Sequence, residues 1–541
     1  MTLTPDLRRS IDQIRDYLYG GGYPNPAQNA EQLSFLMFFF MYEAMDAKLI
    51  RAAKRPGSDP YTSAFEGKWT LKNPLNAPDE ETKKVPKDRL RWSKWAKGLN
   101  GEPLVSWVRD EVFAFYGAIA KEGVTNFMEG ARLVIDDPTV LAEVLTRVEN
   151  LELDRMDSDT KGDLFEHVLR QIRQAGELGQ FRTPRHIIRT VVDMIDPRLG
   201  ETIYDPAAGT AGFLVAAYEH IRLANSTEAG METTEVDGKT IQRGLGDTLS
   251  RDQQKELAEQ TFFGNDVDPQ MVRLATMNLF LRGLDKVRIL RRDALTRTLE
   301  PAQKQEMGIP SDGFDVVLAN PPFSGRLDKD RIVDDVKVGT TTQTELLFLK
   351  YMMNHLREGG RCGVVIPEGV LFGSTGAHKE LRRQLLEDNQ VVAVLSLPGG
   401  VFNPYSGVKT SVLIYTRGGH TDEVLFLHAD ADGFKMDANH DAPVEADDLP
   451  ELLEAFKSRA SRLEQWKARD ESAEWASKWW FADADTIRAA DFNLSAGRYR
   501  PQSRTSAEHR DPLEILDDLL AVEREISEEL GELRDLIAEG I

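Results

Sequence analysis

The feature that most constrains the fold is an alternation of short apolar runs with helical stretches through the middle of the chain. Seven such runs lie between residues 202 and 417: TIYDP, TFFGNDVD, VRILRRDA, FDVVLANPP, GRCGVVIP, VVAVLSLP and SVLIYTR. Strands that alternate with helices are typical of a doubly wound, mostly parallel sheet, in which ligands bind at the carboxyl ends of the strands. We therefore predict an α/β fold with its core over residues 156–420 and a polar insertion at Ser226–Asp252.

The regions on either side lack this alternation. Residues 1–155 are predicted to form a helical N-terminal domain, 421–505 a mixed α/β region that begins with one more strand (DEVLFLHAD), and 506–541 an amphipathic helix. In that tail the apolar positions recur at spacings of three and four: Leu519, Val522, Ile526, Leu530, Leu533 and Ile537. From Asp511 onward this helix carries eleven acids against two arginines, and so narrow an apolar seam predicts packing on another helix, within the chain or in a partner.

Carboxylates follow three successive strands. The first strand ends in YDPAAGTAGFL, where Asp205 is followed by Gly209 and Gly212; glycines let a ligand approach the backbone, and the helix that begins there offers free N–H groups. Asp266, in GNDVDP, is placed to accept hydrogen bonds from ribose hydroxyls, and Asp293, in RRDAL, to meet the amino group of an adenine. Together the three suit S-adenosylmethionine, which has an ammonium group, a ribose diol and an adenine. Taken singly, each aspartate is equally well explained as a helix cap or turn former, and dehydrogenases also carry a glycine-rich turn.

The strand FDVVLA ends in an unusual corner, Asn320-Pro321-Pro322-Phe323. Proline restricts the residue before it to extended conformations, so the two prolines hold Asn320 and the Pro321 carbonyl at fixed angles. The Asn320 side-chain oxygen and that carbonyl can accept the two hydrogens of an exocyclic amino group, which aims the nitrogen lone pair at a methyl sulfonium. Phe323 supplies a flat face on which a base can stack, and a base in a duplex must be flipped out to reach it. The corner is therefore predicted to be a pincer for an aromatic amine; the alternative is a proline-stiffened turn.

These motifs resemble those of the N6-adenine DNA methyltransferases, whose motif is Asn-Pro-Pro-Tyr/Phe/Trp, and most of all those of the modification (M) subunits of type I restriction–modification systems. The resemblance extends over nearly the whole chain, through GQFRTPRHI (Gly179–Ile187), DPAAGTAGFL, NPPF, LREGGRCGVVIPEGVLF, LSLPGGVF and DFNLSAGRYRP. It implies a Rossmann-like, doubly wound methyltransferase core with the motifs in gamma order, a helical N-terminal domain and a helical C-terminal extension. The implied activity is site-specific methylation of adenine N6 in duplex DNA, with S-adenosylmethionine as the cofactor.

The resemblance also implies roles for individual residues. The cofactor would be bound by Phe181, Thr183, Pro184, Asp205, Ala207, Gly209, Gly212, Asp266 and Asp293. Methyl transfer would be performed by Asn320, Pro321, Pro322 and Phe323, and Phe402, after LPGG, would add a second apolar wall for the base. One departure from the family pattern is Ala211, which stands where many methyltransferases have a glycine.

The family assembles two M subunits with one specificity (S) subunit, which reads the DNA sequence, and optionally with a nuclease-translocase (R) subunit. The net charge of −22 agrees with such a partner, because nucleic-acid affinity comes largely from Lys and Arg that neutralise phosphates. A local exception is Lys83–Lys97, which has seven Lys and Arg against one acid, with Trp92 and Trp95 between them. Two interpretations of this stretch stay open: a phosphate-contacting patch, or a solvated surface whose tryptophans pack inward.

Several classes are disfavoured by the sequence. No apolar run reaches the roughly 18–20 residues of a membrane span, and the nearest, Leu33–Tyr42, predicts a buried or partner-facing helix. The N-terminus lacks the apolar segment of a signal peptide. The single cysteine, Cys362, excludes an internal disulfide and argues against a cysteine-based zinc site. We therefore predict a cytoplasmic protein with no metal and no membrane contact.

Three other functions are weighed against the leading one. A self-sufficient adenine methyltransferase would carry its own target recognition, but the chain has no evident DNA-reading segment and an acidic tail. Glutamine methyltransferases of release factors also use Asn-Pro-Pro-Tyr, but they are much shorter and carry tyrosine. A cofactor-sensing scaffold would have a broken site, whereas every expected catalytic position is filled here. The sequence identifies neither the DNA target nor whether a nuclease subunit exists.

Overall fold

The computed structural model describes residues 4–55, 60–73, 83–121, 128–174, 183–236, 238–284, 286, 288–403, 406–437, 440, 442–469 and 478–501. Contacts divide the chain into two units: one is Met1–Ala468 with Lys478–Tyr499, and the other is Arg469–Ser477 with Arg500–Ile541. All elements given below belong to the first unit. The predicted C-terminal helix at 506–541 lies outside the described residues. The domain boundaries at 155, 420 and 505 stay predictions.

Within the described residues of the N-terminal region, the elements are helical apart from one short antiparallel pair of strands. Its helices are α1 (Pro5–Gly20), α2 (Pro26–Ala53), α3 (Trp92–Trp95), α4 (Gly101–Trp107), α5 (Phe113–Lys121), α6 (Pro138–Asn150) and α7 (Ser158–Gln174), and its strands are β1 (Lys68–Thr70) and β2 (Lys84–Pro86). The helix α2 begins where the sequence provides a cap, because Asn25 Oδ1 accepts a hydrogen bond from the Gln28 N–H at 2.8 Å and proline follows Asn25. Most of the apolar run in α2 is buried, with Phe39 stacked on Tyr116, while Phe40 and Tyr42 are partly buried.

The core of this helical region continues into the α/β region. Phe165 of α7 and Leu274 of a later helix, α11 (Pro269–Phe280), lie in the same apolar cluster as Phe35 and Phe39 of α2. The helical region therefore packs directly on α11, a helix of the α/β region that also contacts strands near the predicted site.

A nine-stranded sheet forms the centre of the α/β region. Its strands, in chain order, are β3 (Ile203–Asp205), β6 (Phe262–Asp266), β7 (Arg288–Arg291), β8 (Phe314–Ala319), β9 (Leu356–Pro367), β10 (Asn389–Ser396), β11 (Thr410–Arg417), β12 (Glu423–His428) and β15 (Trp479–Asp483). Across the sheet the order is β15-β12-β10-β11-β9-β8-β3-β6-β7. The seven predicted strands and the additional strand DEVLFLHAD all form, and the predicted α/β fold with a mostly parallel sheet is confirmed. Antiparallel pairs occur where β11 lies between β9 and β10, and where β15 pairs with β12.

Helices connect and cover these strands. Besides α11, they are α8 (Arg185–Ile195), α9 (Gly212–Ala224), α10 (Arg251–Glu259), α12 (Pro301–Glu306), α13 (Thr344–His355), α14 (Glu368–Phe372), α15 (Gly376–Glu387), α16 (Leu449–Lys457), α17 (Arg459–Lys467) and α18 (Ala484–Ala489). The predicted insertion contains a hairpin of β4 (Met231–Val236) and β5 (Lys239–Gly244), and a second two-stranded sheet is formed by β13 (Asp432–Phe434) and β14 (Pro443–Asp447).

The strand order places the predicted site residues at one edge of the sheet. The strand β3 lies between β6 and β8: the chain first extends the sheet from β3 through β6 to β7, then crosses to the other side of β3 to add β8 and β9. Such a reversal creates a crevice at the carboxyl ends of the central strands, where doubly wound proteins bind ligands. Asp205, Asp266 and Asn320 end or directly follow β3, β6 and β8.

The basic stretch Lys83–Lys97 has its tryptophans packed inward. Trp92 and Trp95 are buried and touch each other edge to face. Several of its cations pair with acids: Arg91 with Asp88 at 2.8 Å and Lys97 with Glu149 at 2.8 Å. The two tryptophans are therefore unavailable for stacking on bases in this conformation.

Among the helices that the structure describes, none combines the length and the apolar character needed to span a membrane.

Candidate active site

The turn between β3 and α9 is a left-handed bend that leaves room for a ligand. Gly209 has φ +51°, and a Cβ added there would meet no atom within 4 Å. Gly212 opens α9, and a Cβ there would lie 2.9 Å from Ile188 Cδ1, so glycine also permits close packing of α9 on α8. Ala211 adopts φ +64°, a left-handed conformation that costs an L-residue roughly 1–2 kcal/mol. This conformation is the physical reason why a glycine is common at that position.

Two buried asparagines that the sequence analysis missed hold this turn. Asn278, fully buried in α11, donates from Nδ2 to the Thr210 carbonyl at 2.8 Å and to Glu166 Oε1 at 2.8 Å. Asn265 donates from its side-chain Nδ2 to the Pro206 carbonyl at 3.2 Å, and the backbone carbonyl of Asn265 accepts from the Ala208 N–H at 2.9 Å. The sequence did contain a signal for both residues, because each is a polar amide within a mostly apolar helix or strand. Buried polar groups of this kind are normally hydrogen-bonded to a specific partner.

The three strand-end aspartates share one local geometry. Asp205, Asp266 and Asp293 each accept a hydrogen bond at 2.9–3.0 Å from the backbone N–H two residues further on. They are therefore turn formers, which is one of the two interpretations that the sequence allows. This does not exclude the other interpretation, because a carboxylate has about four lone-pair sites and the turn uses one of them. Asp266 uses a second, since its Oδ2 accepts from the Gly209 N–H at 3.0 Å.

Asp205 is the most deeply buried of the three. Burial raises the pKa of Asp205 from 3.8 to about 8, with a further contribution from the negative charge of Asp266. Burial also raises the pKa of Asp266. A buried and a partly buried carboxylate, both with raised pKa values, are typical of a functional site that binds a cationic or hydrogen-bond-donating ligand.

Replacing Asp205 with asparagine is expected to change how stability depends on pH. Because the folded-state pKa lies above the ordinary value, the folded protein retains a proton that the unfolded chain releases, and wild-type stability falls between about pH 4 and pH 8. Asparagine cannot ionise, so the free energy of unfolding of Asp205→Asn should exceed that of wild type. This difference should grow by about 4 kcal/mol between pH 5 and pH 8 and should not grow further above pH 8. Thermal unfolding of both proteins from pH 5 to pH 9 measures the gap.

The matched control for this measurement is Asp252→Asn, because Asp252 is exposed in the first turn of α10. Its unfolding temperature should differ from that of wild type by the same small amount at every pH from 5 to 9, because only the charge at the helix N-terminus is lost. Parallel pH curves for wild type and Asp205→Asn would show that the Asp205 carboxyl is already ionised in the folded protein.

The Asn320 corner lies against the start of α8. Asn320 Nδ2 donates to Thr183 Oγ1 at 2.8 Å, and this hydrogen bond fixes the orientation of the Asn320 amide. Thr183 is followed directly by Pro184, which occupies the N-cap position of α8. Asn320 Oδ1 is buried and has no hydrogen-bond partner among the described residues. A buried, unpaired acceptor costs about 1–3 kcal/mol, and a ligand that donates a hydrogen bond to it removes that cost.

Two aromatic rings meet beside the corner. Phe323 and Phe402 contact each other edge to face, with ring centroids 5.7 Å apart and an interplanar angle of 84°. Both are buried, at 7% and 2% exposed, so the flat face expected at Phe323 is covered in this conformation. The structure brings Phe402, from the loop after β10, to the corner, although it is distant in sequence.

Hydrogen bonds join the predicted site residues into two groups at the carboxyl ends of the adjacent strands β6, β3 and β8. Thr183 touches Asn320, Gly209 touches Asp266, and Ala207 lies in the turn that Asp205 closes. Phe181 lies outside the described residues. Val267, which the sequence analysis did not single out, follows Asp266 directly and is 65% exposed.

Comparison with known families decides the assignment. The model of the N-6 DNA methylase family matches residues 156–508. The chain belongs to the N-6 DNA methylase family.

The relatives of this N-6 DNA methylase confirm the resemblance drawn from the motifs. It is 30% identical to the type I restriction enzyme EcoEI methylase subunit of Escherichia coli over 473 residues, which cover 83% of this chain and 86% of the relative. It is 26% identical to the EcoKI methylase subunit of Escherichia coli K12, over 75% of this chain and 76% of that one. A structure solved to explain assembly and conformational transition of the type I R-M system superposes with a TM-score of 0.66 at 26% identity, covering 100% of this chain and 99% of the other. This methylase is thus an enzyme of the adenine-N6 DNA methyltransferase class with an α/β methyltransferase fold.

Proposed function

We propose that the methylase transfers the methyl group of S-adenosylmethionine to N6 of an adenine flipped out of duplex DNA, and that Asn320, Pro321, Pro322 and Phe323 perform the transfer. The observation that carries this proposal is the buried Asn320 Oδ1, which lacks a partner among the described residues. An exocyclic amino group is a donor that fits it, because the oxygen lies at the carboxyl ends of the strands, beside Thr183.

The residues around the β3–α9 turn suit the cofactor. Gly209 offers open space at the bend, and Asp266 retains lone pairs for the two ribose hydroxyls after accepting from Gly209 and Asp268. Asp205 would hold the ammonium end, because a cation lowers the cost of ionising a buried carboxylate. Asp293 would meet the adenine amino group, with Val267 as an apolar surface for the ring. Phe181, Thr183, Pro184, Ala207 and Gly212 complete the proposed set.

Catalysis would depend on holding the amino nitrogen in the right geometry. Asn320 Oδ1 accepts one of its hydrogens and the Pro321 carbonyl the other, which takes the lone pair out of conjugation with the ring. The cofactor supplies, when bound, a methyl group on a positively charged sulfur, and the electron pair of the broken S–C bond stays on that sulfur. After attack the amino nitrogen carries one proton too many, which it releases to water. Asn320 therefore acts as a hydrogen-bond acceptor, and Thr183 keeps its oxygen pointed at the substrate.

The adenine would enter beside Phe323 and Phe402. A base between two aromatic rings is held by stacking, worth about 1–3 kcal/mol per base. Because the two rings now touch, base entry would separate them. We infer that this local opening accompanies flipping and that Phe402 forms the second wall of the base pocket.

A separate specificity subunit would supply sequence recognition. The curated relatives are named methylase subunits of type I restriction enzymes, and the net charge of −22 leaves little capacity for gripping phosphates. We propose an assembly of two copies of this chain with one specificity subunit, which a nuclease subunit can join. DNA as the substrate also favours the cytoplasm as the place of action.

Methyl transfer to plasmid DNA tests the proposal. Tritiated S-adenosylmethionine is incubated with DNA and the chain, alone or co-expressed with the specificity protein of its locus, and the labelled nucleoside is then identified. Label in N6-methyladenine, at least about tenfold faster with the partner, is the expected result. Label in cytosine would remove the proposed chemistry. Equal transfer by the chain alone, with tight site-specific gel shifts at physiological salt, would favour a self-sufficient enzyme instead.

A further inference from the structure

Three side chains from two distant parts of the sequence meet outside the proposed active site. His186 lies in the first turn of α8, Asp432 begins β13, and His440 lies between β13 and β14. His186 Nε2 is 2.8 Å from Asp432 Oδ2, and His440 Nε2 is 3.0 Å from the same oxygen. One ligand atom from each of the three residues lies within 4.8 Å of the other two.

We propose that His186, Asp432 and His440 bind a divalent transition-metal ion of the zinc type, which joins the start of α8 to the β13–β14 segment. Two imidazole nitrogens and one carboxylate oxygen form a donor set that zinc accepts, with bonds of about 2.0–2.2 Å. Tetrahedral bonds of that length separate neighbouring ligand atoms by about 3.3 Å. The two nitrogen–oxygen distances, 2.8 and 3.0 Å, are about 0.5 and 0.3 Å shorter than that value, and the two imidazole nitrogens lie within 4.8 Å of each other, so an ion would be accommodated by shifts of these side chains.

Burial distinguishes this cluster from an exposed acidic patch. Asp432 is 0% and His440 3% exposed, whereas His186 keeps part of its ring accessible. A site with two buried ligands and one open side suits three protein ligands with water as the fourth. The donor set has a single carboxylate, so the hard ions Mg²⁺ and Ca²⁺, which require several oxygen ligands, do not match it.

The ring orientations are fixed by neighbouring groups. Phe434 stacks on His186 with ring centroids 4.3 Å apart and meets His440 edge-on at 5.9 Å. The His440 backbone N–H donates to Asp437 Oδ1 at 3.0 Å, in a left-handed conformation with φ +45°. From the hairpin β4–β5, Lys239 binds Asp447 at 2.5 Å and lies over the Phe434 ring. Supporting contacts of this kind preset ligand geometry before a metal binds.

The position of the cluster gives the metal a structural role. His186 is three residues beyond Thr183, whose hydroxyl accepts the hydrogen bond from Asn320. Holding His186 against β13 therefore limits the movement of the segment that orients the catalytic amide. The sequence analysis predicted no metal, but it rested on the single cysteine, which has no bearing on a histidine–aspartate site.

The test uses the full chain, purified without a histidine tag, stripped with a chelator and dialysed. Zn²⁺ is titrated by calorimetry, and Co²⁺ by visible absorption, which reports tetrahedral ligation. We expect one ion per chain, a micromolar or tighter Kd, a rise in Tm as Zn²⁺ is added, and no competition from Mg²⁺. His186→Gln and His440→Gln should each weaken Zn²⁺ binding at least about tenfold and abolish the Co²⁺ band.

The matched control is His420→Gln, because His420 is exposed, pairs with Asp422 and lies outside the cluster. It should bind both ions as the wild type does. No saturable Zn²⁺ or Co²⁺ binding by the stripped wild-type chain, or unchanged binding in both cluster variants, would overturn the proposal and leave the three residues as a hydrogen-bonded cluster only. The wild-type titration tests the site even if a variant fails to fold.

Discussion

Replacing Asn320 with alanine is expected to lower the rate of methyl transfer by about 10²–10³-fold, the range seen when one hydrogen-bonding group that acts on the transition state is removed. The physical reason is that Asn320 Oδ1 is buried and unpaired among the described residues, so an amino group bound there loses its fixed acceptor. Affinity for S-adenosylmethionine should stay within about twofold of wild type, because Thr183 keeps its own hydroxyl for the cofactor when its hydrogen-bond donor Asn320 is removed. Single-turnover transfer to DNA, with cofactor binding by calorimetry, measures both quantities.

The chain offers two comparisons for this variant. Asn100→Ala removes an exposed asparagine whose side chain makes no capping bond on α4, and its activity should match wild type. Asn320→Asp keeps an acceptor oxygen but loses the N–H that Thr183 accepts, so its rate should fall between wild type and alanine. A rate for Asn320→Ala within threefold of wild type would remove the pincer from the mechanism.

Replacing Asp266 with alanine is expected to weaken S-adenosylmethionine binding by about 10²-fold, since hydrogen bonds to a charged group are worth about 1.5–3 kcal/mol each. Two effects combine. The ribose hydroxyls lose their acceptor, and the Gly209 N–H loses the bond that holds the glycine turn in its bent conformation. The affinity is measured by calorimetry on the unliganded protein, and thermal unfolding without ligand shows whether the fold is retained.

Asp252→Ala is the control for this second variant, because Asp252 is an exposed carboxylate on α10. Its cofactor affinity should equal that of wild type. At saturating cofactor, Asp266→Ala should recover most of its transfer rate, whereas Asn320→Ala should not, and this contrast separates binding from chemistry. A wild-type Kd for Asp266→Ala would exclude Asp266 from the cofactor site.

Much of the fold could be predicted from local patterns. The seven predicted strands form because each is a short apolar run bounded by turn residues, and a strand buried on both faces needs little else to be recognised. The Asn320–Phe323 corner could also be predicted from the sequence, because proline restricts the backbone conformation of the residue directly before it. The carboxylates at Asp205, Asp266 and Asp293 follow strand ends, and the strand rhythm alone places strand ends at one edge of a parallel sheet.

The sequence by itself thus determined the class of fold, the strands and the residue types that carry the chemistry, because these depend on neighbours within a few positions. Only the tertiary structure decided which distant groups meet. Thr183 and Asn320 are 137 positions apart, and His186 and Asp432 are 246 apart. Such contacts depend on the order and direction of strands in the sheet, on which side of β3 each new strand is added, and on how far a helix slides over its neighbours. Those choices are made by packing over the whole core, and no local pattern records them.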